Sequence, residues 1–236
     1  MQPTAMSGRI RPRHAASLIL LKPDGGDGLV LMGKRPSAST FIPDAFVFPG
    51  GKLDPADRRI HSPYPLSQET LGAMRGAASG EDGLSEALAY AAIRETYEET
   101  GLLVGCSGSF SGAEEGTWQA LHERGVTPHA SGLKLLARAI TPSLSPVRYH
   151  ARFFVAEANQ TVGEAKSSDE LLEVAWYPIP EALGLPMIDV TETILESAQA
   201  YLRSGSLARG EAPSTTTFVR YRGERRMVSQ EDPNRV

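Results

Sequence analysis

Arg94-Glu95-Thr96-Tyr97-Glu98-Glu99-Thr100-Gly101 sets three carboxylates within five consecutive positions, at the end of a stretch that reads as helix. At about 100° per residue, Glu95, Glu98 and Glu99 fall within an arc of roughly 100°. Traced toward the N-terminus, the same arc carries Leu84, Leu88, Ala91 and Ala92. The acids therefore continue the stripe that an amphipathic helix turns toward its core. A solvated charged face would lie on the other side. Three converging anions repel one another unless a cation sits among them, so this cluster is the strongest pointer to function.

The rest of the chain bounds what that function is. At 236 residues and 41% hydrophobic content the chain can bury one good core. One domain spanning 1–236 is expected, with a core over about 14–204, an insertion over about 52–85 and a C-terminal extension over about 205–236. A net charge of −4 and a pI near 5.8 offer no basic footprint, so no nucleic-acid partner is expected, whereas a nucleotide-sized ligand is compatible. The single Cys106 excludes an internal disulfide and a multi-cysteine zinc site, which fits a reducing cytoplasm. It reads as a small residue in a Gly/Ser loop. No apolar run reaches the roughly 20 residues of a membrane span, so no membrane partner is expected. Arg9, Arg11 and Arg13 precede the short run Ala15 to Leu21, but Lys22-Pro23-Asp24 follows with no small-residue cleavage site, which argues against a signal peptide.

Outward from the acidic helix, the pattern alternates strands and helices. Ala15 to Leu21 and Leu29 to Lys34 flank the turn-forming run 23–28 and predict a β-hairpin. Ala45 to Phe48 reads as a short strand running into Pro49-Gly50-Gly51. From Lys52 to Ser85 periodicity dissolves, apart from a short helix over Ser67 to Arg75. The main helix is expected over Glu81 to Thr100, with Ser85 as N-cap and Gly101 as stop. A loop over Gly105 to Gly116, a short helix over Thr117 to Arg124, and strands at Leu133 to Ile140, Tyr149 to Ala156 and Leu172 to Tyr177 follow. Pro178 and Pro180 introduce a helix near Glu181 to Leu183, and Val190 to Arg203 is amphipathic. Thr215 to Tyr221 is strand-like, and the last residues read as frayed.

Gly51, then Glu86, seven residues, then Arg94-Glu95-x-x-Glu98-Glu99-x-Gly101 resembles the signature box of the Nudix hydrolase superfamily. In that box a Glu normally stands five residues after the Gly, and here 34 residues intervene; Thr96 replaces the usual bulky apolar residue. Arg35, Phe41-Ile42-Pro43 ahead of Phe48-Pro49-Gly50-Gly51, Thr141-Pro142 and Arg152-Phe153-Phe154 resemble the coenzyme A diphosphatase branch, which carries a similar insertion. Pro36 stands where that branch commonly has Ser, and its Leu-Arg-x-His element is missing.

The resemblance implies an α/β Nudix fold, an α/β/α sandwich with a mixed β-sheet. It implies metal-dependent cleavage of the pyrophosphate in a nucleoside diphosphate linked to another group. Coenzyme A or an acyl-coenzyme A is the leading small-molecule substrate, with ADP-ribose, NADH or dinucleoside polyphosphates as alternatives. Mg2+ or Mn2+ is the implied cofactor, since hard cations neutralise phosphate oxygens and prefer carboxylate ligands. Glu95, Glu98 and Glu99 are the expected ligands with the Gly51 carbonyl, and Gly50 is a further backbone candidate. Arg94, four residues before Glu98, is expected to orient the acids. A distal acid often serves as base in this family. Asp169 and Glu170, the latter six residues before Trp176, are the candidates, with Glu164 and Glu173 competing. Glu86 lies roughly opposite Glu95 on an unbroken helix, so it belongs to the site only if the helix starts later or bends. Trp176, Phe153 and Phe154 are expected in the core, Phe41 is a candidate adenine contact, and Tyr149 and His150 are candidate ligand contacts. A homodimer is left open. The rival class is a Nudix-like regulator that binds a nucleotide metabolite without turnover, against which the intact acid set argues.

Overall fold

The computed structural model describes residues 11–24, 26–39, 42–77, 81–223 and 225–232. Phe41 and Arg9 lie outside them. Strands β1 (Arg13–Lys22) and β2 (Leu29–Lys34) form the expected antiparallel hairpin, and β3 (Phe46–Val47) and β4 (Gly50–Lys52) add short rungs beside β2 and β1. A 3-10 helix (Pro55–Arg59) and α1 (Gln68–Met74) occupy the segment between Gly51 and the main helix α2 (Leu84–Thr100). Then come β5 (Leu103–Ser107), α3 (Gly116–Glu123), β6 (Val126–Pro128), β7 (Lys134–Ile140), β8 (Tyr149–Glu157), β9 (Thr161–Val162), β10 (Leu172–Pro178), α4 (Ile179–Ala182), α5 (Asp189–Arg203), β11 (Thr216–Arg222) and β12 (Arg225–Glu231).

The main sheet runs β10-β2-β1-β8-β7-β11-β12; β1 with β8 and β7 with β11 are parallel and the remaining pairs antiparallel, so it is mixed. Alternation along β1 divides the interior. Leu18 and Leu20 pack into one core with Leu84, Leu88, Ala91 and Ala92 of α2, whereas Ile19 and Leu21 pack into a second with Ile194, Leu195 and Ala198 of α5. Helices thus cover both faces, which makes the α/β/α sandwich.

Several local expectations change. Helix α2 starts at Leu84, not Glu81, and Gly83 in the left-handed region (φ 69°) takes the position assigned to Ser85. The fully buried Leu84 must already face the core, which moves the first turn forward and leaves Ser85 inside it. Leu103 to Ser107, expected in part as a Gly/Ser loop, is a strand because it pairs with both β6 and β9. The C-terminal residues up to Glu231 are not frayed. They pair with β11 over Thr216–Arg222, and their backbone hydrogen bonds outweigh the lack of an apolar face.

The segment 52–85 is anchored along its described length. Ser67 caps α1, accepting the Thr70 amide at 3.2 Å, and the Thr70 hydroxyl donates to the Leu133 carbonyl at 2.8 Å. His61 and Ser111 exchange backbone hydrogen bonds at 3.1 and 3.2 Å. Further on, the fully buried Arg152 of β8 donates through Nε to the Ala77 carbonyl at 2.9 Å.

Candidate active site

The last two turns of α2 carry the acids. Because they continue the buried stripe, Glu99 is 6% exposed, while the Glu95 and Glu98 side chains are 14% and 36% exposed. Gly101 ends the helix in the left-handed region (φ 74°), where its amide still donates to the Tyr97 carbonyl at 2.8 Å.

Arg94 is the cation among the acids. Its Nη1 lies 2.9 Å from Glu95 Oε1 and 2.8 Å from Glu98 Oε2. The other edge of the guanidinium is held by Asp57: Nε donates to Oδ1 at 2.9 Å and Nη2 to Oδ2 at 3.0 Å, and Nη2 also donates to the Lys52 carbonyl at 3.1 Å. Burial alone would lower the Arg94 pKa, but the bonds to Asp57 and the surrounding carboxylates raise it, so Arg94 stays charged. One guanidinium among three carboxylates leaves a formal negative balance. Glu98 is further tied through Oε1, which accepts a short hydrogen bond from Thr117 of α3. Asp57 and Thr117 were not among the residues expected from sequence.

The glycine strand β4 closes on the acids from the sheet. The Gly50 amide donates to Glu99 Oε2 at 2.9 Å. A Cβ on Gly51 would stand 2.4 Å from Glu95 Cδ and Oε2, so only glycine permits this approach. Burial pushes the Glu95 carboxyl up to about 7 against the pull of Arg94, with Glu98 adding to the rise. Glu99 is pushed up to about 8, chiefly by burial, against the Gly50 hydrogen bond. These are carboxylates short of positive charge.

They line a cavity of about 880 Å³ that also receives Arg35, Gly50, Gly51 and Glu170. Glu170 is exposed, and its charge reaches Glu99. Asp169 does not reach the cavity wall, and Glu173 instead pairs with Lys34 at 3.4 Å. Glu86 is not brought in either: α2 is unbroken from Leu84, so Glu86 remains on its opposite side, where its charge acts on Tyr90. Phe154 is fully buried, and Phe153 is partly buried against the second core. Alternation on β8 turns it to the opposite face, where it lines the cavity with Tyr149. His150 is buried away from the cavity, its pKa lowered to about 3 by burial and Arg152.

Among the described residues no group of three or more His, Cys, Asp or Glu stands ready-made to hold a metal ion. The Glu95 and Glu98 side chains are directed onto Arg94, and Glu99 onto the Gly50 amide. The donor set nonetheless fits a hard divalent cation. It consists of clustered carboxylates whose burial leaves them undercompensated, beside a glycine cradle that a side chain would fill. Buried Arg35 Nε, on the same cavity, has no hydrogen-bond partner among the described residues.

The NUDIX domain model matches residues 11–196, and the chain belongs to the Nudix family. It is similar to a crystal structure of a NUDIX hydrolase from Alicyclobacillus acidocaldarius, at 27% identity over 80% of this chain and 92% of that one, with a TM-score of 0.63. It also aligns with a MutT NUDIX hydrolase from Burkholderia pseudomallei (18% identity, 80% and 98% covered, TM-score 0.43). A third match is the NUDIX domain of Shewanella oneidensis NrtR complexed with ADP ribose (13% identity, 82% and 90% covered, TM-score 0.47). No curated protein matches the chain. The protein is a Nudix hydrolase, an enzyme of pyrophosphate hydrolysis, and divalent cations are general to such enzymes. No helix among the described residues is long and apolar enough to cross a membrane.

Proposed function

We propose that this chain hydrolyses the pyrophosphate of a nucleoside diphosphate linked to a second group, with coenzyme A or an acyl-coenzyme A as the leading substrate, in the cytoplasm. The observation that carries the reaction is the convergence of Glu95, Glu98 and Glu99 with the glycine strand at Gly50 and Gly51 on the wall of a cavity that also presents Arg35. Glu95, Glu98 and Glu99 with the Gly51 carbonyl would hold Mg2+ or Mn2+. When bound, the cation would neutralise phosphate oxygens and lower the pKa of water. Arg94 holds Glu95 and Glu98 in place through Nη1. The unpartnered Arg35 Nε is available to a substrate phosphate oxygen. Glu170, at the cavity edge, or a box Glu takes the proton from water.

Support for the coenzyme A assignment comes from the sequence resemblance and from the apolar side of the cavity. There Val47, Phe48, Phe153, Ile188 and Val190 offer a wall suited to a long, weakly polar arm. The test is a panel of coenzyme A, ADP-ribose, NADH and diadenosine polyphosphates with Mg2+ or Mn2+, ranked by kcat/KM. Coenzyme A should lead, and Glu98→Gln should abolish turnover. A lead for another member of the panel overturns the substrate, and full activity in Glu98→Gln overturns the site.

A further inference from the structure

The family match ends at residue 196, but the cavity continues beyond it. Its far wall carries Tyr221 of β11, from the C-terminal hairpin that follows. The hairpin is firmly set. Strand β11 pairs in parallel with β7 from Thr217 opposite Ala137 to Val219 opposite Ala139, and β12 folds back along the whole of β11. On one face Arg138 of β7 clasps Glu231 of β12 in a two-bond fork, Nε to Oε2 at 2.7 Å and Nη2 to Oε1 at 2.5 Å, and lies over the Phe218 ring at 3.7 Å. On the other face Arg226, the cross-strand partner of Tyr221, reaches α5: its Nη1 donates to the Asp189 carbonyl at 2.8 Å and to the Thr193 hydroxyl at 3.0 Å. The Tyr221 hydroxyl donates to Asp189 Oδ1 at 2.7 Å, so the ring is held against the first turn of α5.

A row of small side chains joins this wall to the acids. Register sets Lys52, Ala15, Ala151, Ala139 and Val219 side by side across β4, β1, β8, β7 and β11. Alternation puts the three alanines on the α5 face of the sheet, where Ile19 and Val155, farther along the same strands, fill the second core. Methyl groups in place of such bulk leave a trough over the sheet, and all three alanines line the cavity. At about 4.8 Å per strand the row from β1 to β11 spans roughly 14 Å, about four links of extended peptide-like chain. Charge divides the trough. Arg35, Glu95, Glu98, Glu99 and Glu170 gather at one end, whereas Ile140, Thr141, Pro142, Tyr149 and Tyr221 bring no charge to the other. Such a cavity suits a substrate with phosphates at one end and a long uncharged arm at the other. The arm of coenzyme A, a flexible chain of amides ending in a thiol, is of that kind. We propose that Tyr221 is a specificity-determining residue, which meets the far end of this arm and sets how long an acyl extension the site accepts. The inference rests on the coenzyme A reading given above. Because Asp189 engages the hydroxyl, the ring is the contact that limits length.

The experiment measures kcat/KM of the full chain with Mg2+ on coenzyme A, acetyl-coenzyme A and decanoyl-coenzyme A, together with Mn2+ titration calorimetry, for wild type, Tyr221→Ala, Tyr221→Trp and Tyr221→Phe. Discrimination by size in an apolar pocket is worth about 10–200-fold. Tyr221→Ala should raise the ratio of decanoyl-coenzyme A to coenzyme A by about 10-fold or more, chiefly through KM. Tyr221→Trp shortens the trough and should lower the same ratio, and it carries the test should the Ala variant not fold. Tyr221→Phe keeps the ring and should hold the ratio within about 2-fold of wild type. Mn2+ affinity should stay within about 2-fold in all three, since the acids lie at the other end of the trough. General damage to the hairpin would instead move the Ala and Trp ratios in one direction. That outcome, Ala and Trp ratios within about 2-fold of wild type, a Phe ratio displaced as far as that of Ala, or Mn2+ affinity falling in step overturns the inference and leaves the coenzyme A reading intact. Wild-type protein that hydrolyses none of the three substrates overturns both.

Discussion

The Gly50 amide donates to Glu99 Oε2 at 2.9 Å, so the glycine strand and the acid helix meet through a backbone hydrogen bond to a side chain 6% exposed. The contact assigns Glu99 a structural bond and a functional charge that can be separated. Glu99→Gln retains an oxygen for the Gly50 amide but no negative charge. Its Tm should stay within about 3 °C of wild type, while kcat/KM falls by about 100-fold or more, as for loss of a group that stabilises transition-state charge. Melting curves and initial rates check both. A large drop in Tm with retained activity would assign Glu99 to structure alone.

The two raised carboxyls also set a pH dependence of stability. Glu95 and Glu99 hold protons in the folded state up to about 7 and about 8, whereas an unfolded chain releases them near 4.5. Wherever the folded state binds more protons, stability falls as pH rises. His150, held near 3 by burial, acts in the opposite sense, adding stability with rising pH until the unfolded imidazole has lost its proton near 6.5. Between pH 6.5 and 8 only the carboxyl effect remains of these, so in EDTA Tm should decline. Each group contributes up to about 1.4 kcal/mol per pH unit, and each kcal/mol is worth about 2–4 °C in a domain of this size. Excess Mg2+ should flatten the slope, since a bound cation takes the place of the protons. A Tm that is level in EDTA over this range would contradict the burial of these charges.

Two glycines give a matched pair of substitutions. A Cβ at Gly51 would strike the Glu95 carboxylate at 2.4 Å, while at Gly72, inside α1, nothing stands within 4 Å. Gly51→Ala should therefore lower kcat/KM by about 100-fold by displacing Glu95, a group that must be held to within a fraction of an ångström. Gly72→Ala should raise stability by about 0.5–1 kcal/mol through helix propensity and leave the rate unchanged. Equal activities in the two variants would argue against a role for the Gly51–Glu95 approach.

Arg152, fully buried, reaches the Ala77 carbonyl through Nε, and the His150 carbonyl at 2.6 Å and His14 Nδ1 at 2.9 Å through Nη1. Arg152→Leu removes the guanidinium donors from both carbonyls in the interior. A loss of about 2–4 kcal/mol is expected. Limited subtilisin digestion followed by mass spectrometry should then show faster cleavage near residue 77. Unchanged protection would mean that other contacts hold this part of the segment.

Much of this was legible in the sequence because the signals were local. The run Ala15–Leu21, the turn after it and the three acids on one arc of α2 are periodicities that tertiary structure had only to accept. Asp57 was invisible for the opposite reason: its partners Arg94 and Trp118 lie 37 and 61 positions away. Asp54-Pro55-Ala56-Asp57 also reads as turn punctuation. Two signals were available: the capping-box spacing, an acid three positions after an N-cap Asp, and the five residues between Gly51 and Asp57, which match the spacing of glycine and acid in the signature box. Strands β5 and β12 were missed because Gly105, Cys106, Ser107 and the polar run Arg225–Glu231 have no pattern of their own; neighbouring strands supply it. The side of the sheet taken by Phe153 followed from alternation along β8, which separates it from its neighbour Phe154.

The most direct test of the account is a crystal of this protein grown or soaked with Mn2+ and measured at the manganese absorption edge. The account predicts an anomalous peak between Glu95, Glu98 and Glu99, next to the Gly51 carbonyl, with Arg94 still clasped by Asp57. A map with no peak there, and with the three carboxylates turned apart into solvent, would contradict it.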